Sequence, residues 1–387
     1  MASVEALVTP EVIKWAREQM SLSLEEAARK IGRPVEDIAG WEDGSRRPTI
    51  AQLREASRVY KRPLAVFYLP APPKGFSTLR DFRSLPESFP RQYSPELALL
   101  IRTADFRNRW LSEYLENDGA EPLPFVASAS LGDSPGRVAA DIRETLAITQ
   151  TDLRHCSGRD EALRLWIRKA EAIGIFVFRL RSVSLAEARG FVISNAYAPM
   201  IFINANDAKA GQIFTLAHEL AHIWLGHTGI SNLETHGRMI DQEVSTVETF
   251  CNQVAAEVIL PPQDFRKSWA VAEGDLDTKI ARLAREFKVS ELVIARRLFQ
   301  EGIIARQVYE QIQTDVQKRW QEESRKEKKG GPVDYSVKMA AQNGHMFTKT
   351  VIAGFLSGAV SGRDASELLN VKINNFSKLG KAVGLPV

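Results

Sequence analysis

The stretch from Phe214 to His227 holds residues whose types and spacing can do chemistry: it contains His218-Glu219-Leu220-Ala221-His222, a His-Glu-x-x-His pattern. In a helix, residues four apart lie on one face, a turn apart. Two imidazoles so placed can both bind one zinc ion, at roughly 2.0–2.1 Å each. Glu219 then falls beside the pair, where it can hold and deprotonate a metal-bound water. Phe214, Leu216, Leu220, Ile223 and Leu225 make the helix apolar, which predicts burial, and Gly226 is a stop. Stranded polar groups are costly to bury, so the two histidines and the glutamate must be satisfied there. Hydrogen bonds alone would also satisfy them, and so short a pattern arises by chance. A third ligand separates the two cases.

A second apolar stretch, Ser245 to Leu260, ends at the pair Pro261-Pro262 and reads as another buried helix. Glu248, Asn252 and Ala255 share one stripe of it. Glu248 could complete a His-His-Glu site and leave a fourth position for water, as catalytic zinc requires. Asn252, a turn on, could fix the ring of a ligating histidine. Ala255 and Ala256 are small enough to let the two helices approach closely. Glu243 and Glu257 are the other candidate carboxylates, and Cys251 is a competing ligand or a small buried apolar side chain.

In these residues the chain resembles the ImmA/IrrE-type metallopeptidases. The matching features are the apolar His-Glu-x-x-His helix at 214–226 and a glutamate-bearing helix with Asn252, Ala255, Ala256 and Pro261 in an Asn-x-x-Ala-Ala-x-x-x-x-Pro pattern. Ala221 stands where many members have glycine. The resemblance implies a zincin-like fold and zinc endopeptidase activity, often on a DNA-binding repressor. It carries His218 and His222 as ligands, Glu219 as general base and Glu248 as third ligand.

The elements around these helices must position them. Ile175 to Phe178, Gly190 to Ile193 and Met200 to Ile203 are β-rich runs of strand length separated by turn residues, which predicts a small, mostly antiparallel sheet directly before the metal helix. Asn204 to Asp207 reads as a turn capping that helix. Thr228 to Glu243 is a loop that can border a substrate cleft. His227 and His236, at and within it, are either surface residues or candidates to stabilise a tetrahedral oxyanion. Further helices are expected near 94–117, 134–148, 159–173, 275–287, 290–299 and 303–325.

The N-terminal residues form a string of short helical patterns. Thr9-Pro10 starts one, Ser23 with Glu26 makes a capping box for Leu24 to Ile31, Pro34 opens the next through Trp41, and Thr49 caps a fourth. Two short helices joined at Gly32 read as helix-turn-helix. Ser23 to Pro48 resembles the XRE-type helix-turn-helix, through Ala28, Gly32, Ile38, Trp41, Glu42, Gly44 and Pro48. The resemblance would place the Pro34–Trp41 helix in a DNA major groove. That helix offers Val35, Glu36, Asp37 and Gly40, with no side chain suited to a base edge. Arg33, Arg46 and Arg47 are the candidate phosphate contacts. A helical module that docks or dimerises is the other reading.

Composition sets the frame. At 387 residues, 44% hydrophobic and 26% charged, the chain suits a soluble globular protein of two or three domains. A net charge of +3 does not by itself argue for nucleic acid or membrane. Two cysteines, Cys156 and Cys251, make no disulfide framework and suit a reducing cytosol. No apolar run reaches the roughly 20 residues of a membrane helix. Pro70 to Gly75 and Gly330-Gly331-Pro332 are breaks. The expected domains are therefore a helix-turn-helix bundle at 1–69, a Pro-rich linker at 70–93, a zincin-like metallopeptidase domain at 94–329 and a helical C-terminal region at 330–387. In the last, Gly362 to Phe376 could form a second helix-turn-helix-like unit, with Lys372, Asn374, Asn375, Lys378 and Lys381 as readers.

The expectation is an α+β, mostly α, cytoplasmic protein: a zinc-dependent regulatory endopeptidase with a protein substrate, in particular a transcriptional repressor, and with DNA as a candidate partner. The alternative is an XRE-type regulator or antitoxin-like interaction protein whose metal site senses or is structural.

Overall fold

The computed structural model describes residues 5–20, 22–73, 94–231, 242–325 and 335–386. The chain divides into two compact units, one ending at Arg107 and the other running from Asn108 to the C-terminus.

The first unit opens with α1 (Pro10–Glu18), α2 (Leu24–Ile31), α3 (Val35–Asp43) and α4 (Ile50–Val59). The capping boxes explain these boundaries. Ser23 accepts from Glu26 N while Glu26 returns to Ser23 N, and Thr49 does the same with Gln52. Gly32 and Gly44 end α2 and α3 in the left-handed conformation, where a side chain would be strained. Val12, Ile13, Ile38, Trp41, Leu53, Ala56, Tyr60 and Phe67 form one core. Arg17 is clamped to Glu42 by two hydrogen bonds of 2.7 and 2.9 Å, joining α1 to α3.

The long α5 (Pro95–Asn117) leads into the second unit, followed by α6 (Pro135–Thr145), α7 (Gln150–His155) and α8 (Arg159–Ala172). Strands β1 (Phe176–Leu180), β2 (Gly190–Ile193) and β3 (Met200–Asn204) precede α9 (Lys209–Trp224); β4 (Gly229–Ser231) and α10 (Gln242–Ile259) follow it. The sheet order is β1-β3-β2-β4. The two pairings of β2 are antiparallel, as expected, but β1 and β3 run parallel, so the sheet is mixed. The cause is that β3 inserts between β1 and β2 rather than lying beyond β2.

Both faces of the sheet are covered, which is why the strands read as continuous apolar runs. Val177, Val192, Ile201 and Ile203 join Ile213, Leu216 and Leu220 of α9 in the main core. On the other face, Phe178, Phe202 and Phe191 stack in a ladder, with ring centroids 4.5 and 4.2 Å apart.

The helices α11 (Pro262–Ala270), α12 (Leu276–Glu286), α13 (Glu291–Gln300) and α14 (Arg306–Arg325) follow. A C-terminal bundle then forms from α15 (Tyr335–Asn343), α16 (His345–Leu356), α17 (Gly362–Leu369) and α18 (Phe376–Ala382). Phe347 of α16 meets the aromatic ladder at Phe178, 5.5 Å between centroids, and Trp110 of α5 at 6.3 Å. No described helix is long and apolar enough to cross a membrane.

Candidate metal centre

The start of α9 is fixed by polar contacts. Its N-cap is Ala208, which offers no side-chain cap, rather than a residue of the Asn204–Asp207 turn. Asp207 compensates. Its carboxylate accepts from Ala208 N at 2.7 Å and is ion-paired to Arg189 at 2.8 Å, while Gln212 donates to its carbonyl at 2.7 Å. The end of α9 is closed by the segment before α6. Ala127 N and Ala129 N donate to the carbonyls of Ile223 and Trp224 at 3.0 and 2.9 Å. Trp224 stacks on Phe125 and donates its indole N–H to Asp141 at 2.6 Å. Gly226 takes φ +72° and turns the chain away.

Helix α10 lies against α9 with Cys251, Val254, Ala255 and Val258 fully buried. Arg143 binds the carbonyl of Val258 at 2.7 Å, and Arg297 binds that of Leu260 at 3.1 Å. Ala255 is wholly enclosed, whereas Ala256 is half-buried.

These two helices bring His218, His222 and Glu248 together. The Nε2 atoms of the histidines are 3.1 Å apart. The Nε2 of His218 is 3.3 Å from one carboxylate oxygen of Glu248, and that of His222 is 3.3 Å from the other. Both rings are 1% exposed, so bulk water cannot solvate a charge there. The three form a group whose candidate ligand atoms all lie within 4.8 Å of one another. A tetrahedral ion with bonds near 2.05 Å has ligand atoms about 3.3 Å apart, so these spacings fit one zinc-sized cation. The donor set, two imidazoles and one carboxylate, suits zinc and also other divalent first-row ions.

The electrostatics follow from burial and mutual contact. Burial alone would raise the Glu248 carboxyl, but hydrogen bonds from His218 and His222 outweigh it and hold it well below the ordinary range. Burial opposes charge on both imidazoles. At His218 the Glu248 carboxylate wins and the net shift is upward. At His222, burial together with the neighbouring charges of His218 and His227 gives a downward one. Cys251 lies close to the carboxylates, and its thiol is pushed well up by burial and then by Glu248 and Glu219, so its thiolate is disfavoured.

Glu219 is wholly buried beside His218. Its carboxylate reaches over β2: a Cβ built on Gly190 would stand 2.8 Å from its Oε1 and 2.5 Å from the Thr215 methyl. Gly190 is a site residue that motif reasoning passed over. Its signal was a glycine in a strand, which often marks a close approach.

Asn252 interacts with the ring of His218, favouring its protonated form, although His218 Nδ1 makes no hydrogen bond of regular geometry. His227 accompanies His222, its backbone N–H donating to the His222 carbonyl at 2.9 Å. His236 lies outside the described residues, as does the side chain of Glu243. Glu257 is not part of the cluster: it is ion-paired to Arg297 at 2.9 Å. In the first unit, Arg33, Arg46 and Arg47 are all exposed, and Arg46 is ion-paired to Asp37 at 2.6 Å.

Residues 170–299 match the family model of the IrrE N-terminal-like domain (Peptidase_M78), and residues 13–67 match a helix-turn-helix family model. The chain therefore carries a segment similar to a metallopeptidase-family domain, preceded by one similar to a helix-turn-helix domain. The cluster of His218, His222 and Glu248 lies within the segment that matches the IrrE N-terminal-like domain. No curated protein matches the chain.

Proposed function

We propose that the protein is a zinc-dependent endopeptidase with a regulatory role, acting on a DNA-binding repressor or a similar regulatory protein. The observation that carries the reading is the convergence of two buried imidazoles and a partly buried carboxylate on one point, with a wholly buried carboxylate, Glu219, next in sequence to the first imidazole. His218, His222 and Glu248 would hold the ion. A bound zinc ion supplies Lewis acidity.

The chain's own residues supply the proton traffic. Glu219 accepts the proton of the attacking water and passes it to the departing amine as the peptide C–N bond breaks. Asn252 orients the His218 ring. His227, next to His222, is the residue able to donate a hydrogen bond to a developing oxyanion. The helix-turn-helix domain supports a role tied to transcription, with duplex DNA or a DNA-bound protein as the target it locates.

The test is metal content and cleavage measured together. Wild type should hold about one zinc per chain, and Glu248→Ala should lose or loosen it. Glu219→Gln should keep the metal and lose cleavage of a repressor substrate by roughly 10²–10⁴-fold, the usual contribution of a general base. An active Glu219→Gln protein would remove Glu219 from its role, and a wild type that binds no offered zinc would remove the peptidase reading.

A further inference from the structure

Both helical ends of the chain expose cations, and they differ in how many acidic residues are set among them. In the helix-turn-helix unit, Arg17 is committed to Glu42, Arg46 to Asp37 and Arg58 to Glu55. Its α3 exposes Glu36 and Asp43, which repel phosphate. The C-terminal bundle, residues 335–386, carries Lys338, Lys349, Arg363, Lys372, Lys378 and Lys381 against only Asp364 and Glu367. All six cations are exposed, and none takes part in an ion pair among the described residues.

Four of the six sit on one helix–turn–helix. Helix α17 ends at Asn370 in the left-handed conformation, φ +50°. Ser366 then pins the turn by donating to the Val371 carbonyl at 2.8 Å. The turn folds back onto the start of α17, where a Cβ on Gly362 would lie 3.0 Å from the Ile373 side chain. This brings Arg363 into the neighbourhood of Lys372 and Asn374. On α18, Lys378 and Lys381 are three residues apart and share a face, while Phe376 and Leu379 are buried on another.

We propose that this surface grips the sugar-phosphate backbone of duplex DNA, with Arg363, Lys372, Lys378 and Lys381 as phosphate contacts and the Asn374 amide between them. Unpaired, exposed cations are what phosphate binding requires, because each one releases condensed counterions without first breaking an ion pair. A membrane-surface helix would instead turn its apolar face outward; the exposed residues of α18 are Ser377, Lys378 and Lys381. The helix-turn-helix match at the other end makes duplex DNA the coherent polyanion. This second DNA-binding surface stands whether or not the zinc site cleaves peptides.

The test uses the full chain and fluorescently labelled duplexes of unrelated sequence, with anisotropy read at several salt concentrations. The variants are the triple Lys372→Ala, Lys378→Ala, Lys381→Ala and its charge-keeping counterpart with Arg at the same positions. Wild type should bind every duplex with a steep salt dependence. The alanine triple should weaken binding uniformly across sequences. It should also flatten the log–log salt slope by about 0.9 for each phosphate no longer gripped, roughly 3.5-fold in affinity for each between 50 and 200 mM salt. The arginine triple should bind like wild type, and both should melt with it. An unchanged slope in the alanine triple overturns the proposal. So does an arginine triple as weak as the alanine one, or a wild type that binds phosphatidylserine vesicles but no duplex.

Discussion

Gly190→Ala adds one methyl where β2 crosses α9. The new carbon would stand 2.5 Å from the Thr215 methyl, 2.8 Å from Glu219 Oε1 and 2.9 Å from the Phe202 carbonyl oxygen. None of the three can yield freely. Phe202 O belongs to the backbone of the paired strand β3, Glu219 is wholly buried, and Thr215 is β-branched with restricted rotamers in a helix. Relief therefore needs β2 to back away from α9 or the Glu219 carboxylate to swing. Overpacking of this kind costs about 1–3 kcal/mol. In a unit of this size that is a fall in melting temperature of roughly 2–10 °C.

The assay is a double-mutant cycle with Thr215→Ser, which removes the methyl that makes the closest contact. The pair should be less destabilised than the sum of the singles by about 0.5–1 kcal/mol, since contacting residues couple. Under the proposed function, Gly190→Ala should also lower kcat more than it raises KM while zinc content stays near wild type, because Glu219 moves and the ligands do not. A Gly190→Ala protein that melts with wild type, or strict additivity with Thr215→Ser, would refute the close approach itself.

Two further expectations concern the surroundings of the site. Trp224→Phe keeps the stack on Phe125 but deletes the 2.6 Å hydrogen bond to Asp141. It should cost about 1.5–3 kcal/mol in urea unfolding, and a neutral substitution would show that this bond is not made. Glu171, which accepts from Met346 N at the start of α16, is pushed up to about 7 by burial, with the backbone hydrogen bonds only partly offsetting it. Its folded value lies above the unfolded one, so the folded state loses stability as pH rises from about 4.5 through 7, then levels off. The loss is up to about 3 kcal/mol. The advantage of Glu171→Gln over wild type should therefore grow between pH 5 and pH 8, and a constant difference across that range would contradict the shift.

The site was legible where periodicity and local chemistry decide the outcome. A spacing of four residues fixes His218 and His222 on one face whatever the tertiary structure, and the stop at Pro261-Pro262 bounds the second helix from within its own sequence. The capping boxes at Ser23 and Thr49 are likewise local. What escaped depends on long-range placement. Gly229 to Ser231 is too short to announce itself as β4, and it becomes a strand only because β2 offers it an edge. The parallel β1–β3 pair escaped because runs buried on both faces carry no alternation to reveal their neighbours. Glu257 resembled a ligand in sequence, and only Arg297, forty residues on, claims it. Gly190 lay in plain view as the first residue of a strand, but nothing local says that a glutamate will lie across it.

The mixed sheet also bears on what can stand alone. One face packs on α9, and the other carries the Phe178, Phe202 and Phe191 ladder under Phe347. The family-matched segment 170–299 contains the strands and both α9 and α10, but not α6, α16 or the end of α5. Cutting there would remove the Asp141 partner of Trp224, the Asn108 side chain that donates to the Ala198 carbonyl at 2.7 Å, and Phe347 itself. Trp224 and Phe178, fully buried in the intact chain, would lose the rings of Phe125 and Phe347 that cover them, at up to about 1.5–3 kcal/mol each. That total is a large share of the roughly 5–15 kcal/mol by which an ordinary domain is stable. Helix α9 is held through a sheet whose second face is covered by the C-terminal bundle. The bundle with the free cations is thus a structural part of the peptidase-like unit as well as the surface proposed to meet DNA.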